Sequence, residues 1–139
     1  MVEEFVKTHL AAEATRFIFK RIGEYLSSCP TAWLFDAVNE KEDLVGFDVA
    51  EFKPKTYALY MFNFSLETDY IPGASDLLPS EIIEQAKADG KKYINLGLGI
   101  NTGVTFFKKK WGGESYLPYH FGLYQLKGKE NLEILLQKL

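Results

Sequence analysis

The chain has little of what metal and redox chemistry needs: one cysteine and two histidines in 139 residues. Cys29 cannot form an internal disulfide, which suits a reducing compartment and makes the cytoplasm the expected location. His9 and His120 lie near opposite ends, outside any zinc-ligand spacing, so no metal is expected. No apolar run approaches the ~20 residues that a membrane-spanning helix needs. Glu3 and Glu4 stand where a signal peptide would be basic, so neither membrane nor export is expected. Sixteen Lys and Arg against nineteen Asp and Glu leave a formal charge of −3, which offers no field for collecting nucleic acid. The loop at Gly73 is neither a GxGxxG fingerprint nor a P-loop, and no nucleophile elbow appears.

Large flat side chains are plentiful. Eleven Phe and eight Tyr bring the aromatics to 15%, within an apolar fraction of 47%. That composition and length predict one globular domain with a core of aromatic rings. From Val2 to Leu26, Val6, Leu10, Ala14, Phe17, Ile18 and Tyr25 recur at helical steps, and Cys29-Pro30 ends the helix. Thr31–Val38 reads as a strand, Asn39–Asp43 as a hairpin turn, and Leu44–Phe52 as a strand with Val45, Phe47 and Val49 on one face. Thr56–Leu66 carries Tyr60, Phe62, Phe64 and Leu66 on one face and Tyr57, Leu59 and Met61 on the other, the pattern of a central strand covered on both sides.

A helix follows from about Leu77 to Asp89, with Pro79 in its first turns and Gly90 as its stop. Tyr93–Leu98 reads as a strand and Gly99–Gly103 as a loop. A short helix then places Val104, Phe107 and Trp111 on one side. Tyr119–Leu126 is expected to be a strand and Glu130–Leu139 a last helix. The order predicts an α+β fold: a mixed, mostly antiparallel sheet with helices on both faces.

A strand that feeds a small-residue loop opening a helix is a device for holding an anion, since the first N–H groups of the helix face it. Gly73-Ala74-Ser75-Asp76 fits that description. It also fits an ordinary helix cap, with Ser75 as capping residue. Lys108-Lys109-Lys110 offers either cations for a phosphate or the wet side of a helix. Cys29 lacks a neighbouring base and reads as structural.

The run from Trp33 to Leu126 resembles the GNAT superfamily of N-acyltransferases, in the branch that includes the Fem-type peptidyltransferases. Three features carry the resemblance: the aromatic strand ending near Leu66, the Gly73-Ala74-Ser75 turn into a helix, and YINLGLGINTGVTFFKKKWGG at Tyr93–Gly113. The resemblance implies acyl transfer from acetyl-coenzyme A to a small-molecule amine. Gly73, Ala74, Ser75 and Asp76 would cradle the pyrophosphate, Asn101 would bond the pantetheine arm and Lys108 would meet a phosphate. Glu67, at the end of the central strand, is placed to take the amine proton, and Tyr116, Tyr119 or His120, after the Gly112-Gly113 turn, to supply an acid, with Tyr116 the chosen candidate. Asp69 and Pro72 replace the family's usual pyrophosphate signature, and Phe106 and Phe107 stand where many members carry an acidic Tyr. Two other readings follow: a Fem-like transferase using aminoacyl-tRNA, or a non-catalytic GNAT-like domain for binding or dimerisation. The family's first strand is not found before the Val2 helix. The chain is therefore expected to be the C-terminal part of a longer protein or to be completed by a partner, such as a second copy across a sheet edge.

Overall fold

The computed structural model describes residues 2–3, 6, 13–65, 71 and 73–120. Within them, α1 (Glu13–Lys20) and α2 (Ile22–Ser28) lead into β1 (Ala32–Val38), β2 (Leu44–Glu51) and β3 (Tyr57–Ser65). Helix α3 (Ala74–Ala88), β4 (Tyr93–Asn95) and α4 (Thr102–Lys110) follow. The four strands form one sheet in the order β1-β2-β3-β4. The first two pairings are antiparallel and β3–β4 is parallel. This is the expected α+β architecture.

The N-terminal helix breaks at Arg21, which shifts the phase of its apolar stripe. Phe17 and Ile18, expected to face inward, are exposed. The side chains that pack on the sheet are Phe19, Ile22 and Leu26, against Phe47, Val49, Phe62 and Phe64. Phe19 meets the edges of Phe62 and Phe64 at 5.3 and 5.4 Å, and Phe47 stacks on Phe64 at 4.5 Å. Ser28 is the last helical residue and Cys29 is extended, as the residue before a proline should be.

The opposite face of the sheet is covered by α3, whose Ile82 and Ala86 pack with Ala50, Phe52 and Ala58. Leu78 packs with Ala37 and Val45. Helices thus lie on both faces. The strand buried on both sides is β2, from Val45 onward, rather than β3.

Two bulges place residues where alternation would not. One, opposite Ala37 and Val38, turns Val45 towards Leu78 and away from Phe47 and Val49. The second is in β3. Val49 pairs with Phe62 but Ala50 pairs with Tyr60, so Met61 has no opposite residue. Tyr60 therefore joins the α3 side, with Ala50 and Ile82, while Phe62 and Phe64 stay on the other. The expectation that Tyr60, Phe62 and Phe64 share a face fails at this one inserted residue.

Helix α3 begins three residues earlier than the sequence suggested, so Pro79 is interior and removes an N–H that would bond the Ser75 carbonyl. Its C-terminus is a Schellman turn: Gly90 takes φ 68°, its N–H bonds Lys87 and the Lys91 N–H bonds Ala86. The Lys91 amine then donates to the Phe52 and Pro54 carbonyls, fixing the β2–β3 turn. Tyr119 and His120 are not in a strand, and the remainder of the expected strand and last helix lies outside the described residues.

One polar cluster holds α2 to the sheet. The Tyr25 hydroxyl and the Cys29 thiol donate to the Glu51 carboxylate, which also accepts the Lys53 N–H. Burial pushes Glu51 up, but the Thr31, Tyr25, Cys29 and Lys53 donors outweigh it and hold the carboxyl down at about 2. Cys29, whose sequence context offered no neighbouring base, thus has the Glu51 carboxylate 3.1 Å from its thiol. Because Glu51 titrates lower in the folded than in the unfolded chain, its stabilisation is complete above the unfolded value and is lost as the pH falls towards about 2. Tyr25→Phe should therefore cost about 1.5–3 kcal/mol near neutral pH and progressively less below about pH 4. Urea denaturation at both extremes checks this, and an equal loss at each would contradict it.

Candidate functional site

Strand β4 leaves β3 after three residues. Pairing runs Tyr57–Tyr93, Ala58–Ile94 and Leu59–Asn95 and then stops, although Leu96 and Leu98 continue the apolar alternation that predicted a strand to Leu98. The Asn95 side chain accepts the Gly97 N–H at 2.9 Å, and Gly97 takes φ 67°. This Asx turn swings the chain away from the sheet. Beyond Leu59, the edge of β3 on that side has no partner strand among the described residues, and its N–H and C=O groups open on a gap.

Helix α4 closes the far side of the gap. Asn101 starts it by accepting the Val104 N–H at 2.8 Å. The connecting loop is pressed close on α4: a Cβ at Gly99 would stand 2.6 Å from the Thr105 hydroxyl oxygen. The result is a cleft of about 230 Å³ lined by Tyr60, Asn63, Ser75, Gly103, Val104, Phe107 and Lys108. It is bounded by three things: the free edge of β3, the N-terminus of α3 and the first turns of α4.

Gly73 starts α3 with φ 90°, a left-handed conformation that favours glycine, and no side chain caps the helix. Ser75 is thus at the second helical position, not the cap, and it lines the cleft. The Gly73 carbonyl takes the Asp76 and Leu77 N–H groups, while those of Ala74 and Ser75 have no acceptor within the helix. Among the described residues, nothing lies within 4 Å of a Cβ built on Gly73.

The sequence-derived candidates divide. Ser75 and Lys108 line the cleft, whereas Gly73, Ala74, Asp76 and Asn101 do not, although they belong to the first turn of α3 and the cap of α4. Asp76 is engaged by the Lys110 amine at 2.6 Å, an ion pair linking the first turn of α3 to the last of α4. The Lys108 amine donates to the Leu98 carbonyl, and burial lowers its pKa. Asn101 uses its carbonyl oxygen as the cap of α4. Tyr116 is 90% exposed and does not line the cleft. Glu67 lies outside the described residues. Phe106 is exposed, whereas Phe107 forms part of the wall. Trp111 is half-buried, and its indole N–H has no partner among the described residues.

Sequence reading missed a polar group at the wall: Tyr60 and Asn63, which line it, and Asp48 behind them. Asp48 of β2 is 0% exposed and sits opposite Asn63 of β3, whose amide donates to Asp48 Oδ1 at 2.6 Å. Among the described residues, the second oxygen, Oδ2, and the Tyr60 hydroxyl are buried without a hydrogen bond that meets ordinary geometry. Burial pushes Asp48 up to about 6, against the lowering effect of Asn63 and Tyr60. Burial and then the Asp48 charge push the Tyr60 phenol above its ordinary value. The signal was an Asp within the apolar LVGFDVAEF and an Asn within YALYMFNF, each a polar residue at the centre of a strand.

No family model matches the sequence, and no curated protein matches it. Solved structures do share the fold. A putative acetyl transferase from Pyrococcus furiosus matches with a TM-score of 0.68 at 20% identity, over 88% of this chain and 85% of that one. AAC(6')-Iy, in complex with a coenzyme A bisubstrate analogue, matches with 0.63 at 13%, over 88% and 87%. A GNAT family acetyltransferase from Elizabethkingia anophelis with acetyl-CoA bound matches with 0.54 at 20%, over 66% and 58%. The fold is that of the GNAT acetyltransferases.

The buried Asp48 has a measurable consequence. The folded chain holds its proton more tightly than the unfolded chain does, so Asp48 is least costly below about pH 4 and becomes destabilising as the pH rises to about 6. The full effect is about 3 kcal/mol. Asp48→Asn should remove this slope and leave the variant more stable than the parent above about pH 6. Urea midpoints across the range test it; parallel curves for the two proteins would contradict it.

Proposed function

We propose that this GNAT-fold chain is an N-acyltransferase that takes an acyl group from acetyl-coenzyme A and passes it to a small-molecule amine. The observation that carries the reading is the split between β3 and β4 with the open N-terminus of α3 at its mouth. Structures of the same fold hold acetyl-CoA in one case and a coenzyme A bisubstrate analogue in another.

In this reading the pyrophosphate sits at Gly73–Ser75, where the Ala74 and Ser75 N–H groups and the helix dipole meet its charge. Lys110 neutralises Asp76, so the carboxylate there does not oppose the anion. The pantetheine arm lies along the unpaired edge of β3 as an added strand, its amides pairing with the backbone. The Asn101 side chain still has its NH2 to offer, since only its oxygen is used in capping α4. Backbone N–H groups of β3 near the bulge polarise the thioester carbonyl. Holding thioester and amine together in the cleft is worth up to ~7–11 kcal/mol of the barrier. Glu67 is the sequence-derived candidate for accepting the amine proton.

Phe107 in the wall, where an acid would serve catalysis, favours a second reading: a coenzyme A-binding domain without turnover.

Coenzyme A at about 100 times its dissociation constant should stabilise the chain by about 2.7 kcal/mol in thermal unfolding. Gly73→Val should abolish that shift, because a branched Cβ at the turn blocks the phosphate and disfavours φ 90°. No described atom lies within 4 Å of the new Cβ, so the cost to the fold is the backbone strain at φ 90°, and circular dichroism should confirm that the variant is folded before it is compared. A shift retained in a folded Gly73→Val protein would remove the pyrophosphate from this turn. Turnover of a panel of primary amines separates the enzyme from the binding domain.

A further inference from the structure

Among the described residues, the outer edge of β1 has no partner strand. Folded chains usually guard such an edge with a short strand, a lysine, a proline or a bulge. β1 has none of these. It runs for seven residues, AWLFDAV, with Asp36 as its one charge. The bulge at its end inserts Val45 of β2 rather than a residue of β1. Trp33, Leu34 and Val38, with Leu44 across from Val38, are 40–55% exposed. This apolar surface lies on both faces of the strand. Trp33 packs on the rings of Phe35 and Phe52 on the α3 side, whereas Leu34 pairs with Val49 on the side of α2. A helix laid on one face covers half of it; a strand added at the edge reaches both halves.

The pairing with β2 fixes which backbone groups point outward. The Phe52 N–H bonds the Thr31 carbonyl, and the Asn39 N–H bonds the Asp43 carbonyl. Alternation along the antiparallel ladder then turns the N–H and C=O groups of Leu34, Asp36 and Val38 away from β2. A second β1 running antiparallel can meet them in few registers, and charge chooses among these. A two-fold centred on Asp36 would set two carboxylates against each other. A two-fold centred on Phe35 places Leu34 opposite Asp36 of the second copy, Phe35 opposite Phe35, and Trp33 opposite Ala37. It also sets Asn39 and Glu40 of the acidic hairpin beside Thr31 and Pro30 of the second copy, which carry no charge.

We propose that two copies of the chain associate about a two-fold axis by pairing β1 with β1, antiparallel and centred on Phe35, into one eight-stranded sheet. The second copy is the occupant because it meets every requirement twice over. It brings a free edge of equal length, apolar side chains on both faces and an uncharged residue opposite Asp36. The cleft lies on β3, two strands away, so association here leaves the coenzyme A reading untouched.

Sedimentation velocity on the full chain at tens of micromolar tests this, with circular dichroism to confirm that each variant is folded. The parent should sediment as a dimer. Asp36→Pro should be a monomer, because it removes an outward N–H and keeps the ladder to β2. Leu34 reports the register. Leu34→Asp would face Asp36 of the second copy at two places and should raise the Kd at least about tenfold. Leu34→Lys would meet the same carboxylate with a cation and should keep the Kd within about threefold of the parent's. An apolar contact without strand pairing would weaken in both alike. A monomeric parent overturns the proposal, as does a dimer that survives Asp36→Pro. Equal weakening by Leu34→Asp and Leu34→Lys overturns it too, since the strands would then not be centred on Phe35.

Discussion

Parallel pairing between β3 and β4 ends at Leu59 and Asn95 because Asn95 turns its side chain onto the Gly97 N–H and Gly97 adopts a left-handed φ. Had the ladder continued to Leu98, the edge of β3 would be filled and α4 would have no gap to close. A backbone edge is a surplus of donors and acceptors, and a chain-like ligand can use it much as a strand would. The cleft therefore follows from a local competition. One side-chain hydrogen bond and one glycine outweigh the β preference of an alternating apolar run.

The rest of the molecule keeps that gap from being an accident of loose packing. On one face the rings of Phe19, Phe47, Phe62 and Phe64 interlock beneath α1 and α2. Large fixed side chains of this kind resist deformation, so the sheet acts as a rigid frame. Glu51 ties α2 to that frame through hydroxyl, thiol and backbone donors. On the other face α3 runs from the cleft to Gly90, where the Lys91 amine fixes the β2–β3 turn. Both ends of α3 are thus tied to places that matter for β3.

Features with a local cause were legible in the sequence. Pro30 stops α2, Gly90 stops α3, and Asn39 closes the hairpin by accepting the Lys41 and Asp43 N–H groups. Each depends on one or two residues whose preferences are strong. What escaped depends on register. Nothing local distinguishes Met61 or Val45 as an inserted residue, because a bulge is a relation between two strands. The alternation of β3 is sound on either side of the bulge and wrong across it. Asp48 and Asn63 went unremarked although each is a polar residue in an apolar strand, because only cross-strand pairing puts them opposite each other. The candidates around Gly73 and Asn101 were found because helix starts have a local signature. Asn101 was found for its place near pantetheine, while its visible work is to cap α4.

Met61 can also be regarded as a one-residue insertion that divides β3 into two halves of opposite phase. Residues after it answer to the aromatic packing beneath the N-terminal helices, and residues before it answer to α3. A deletion there would keep every hydrogen-bonding residue of the strand and change no composition of note. It would still rotate Tyr57 to Tyr60 by half a turn relative to Phe62 and Phe64, exchanging which face each one serves. A single codon separates the two arrangements. Inheritance of the polar group behind the cleft is therefore tied to strand length as much as to the identity of its residues.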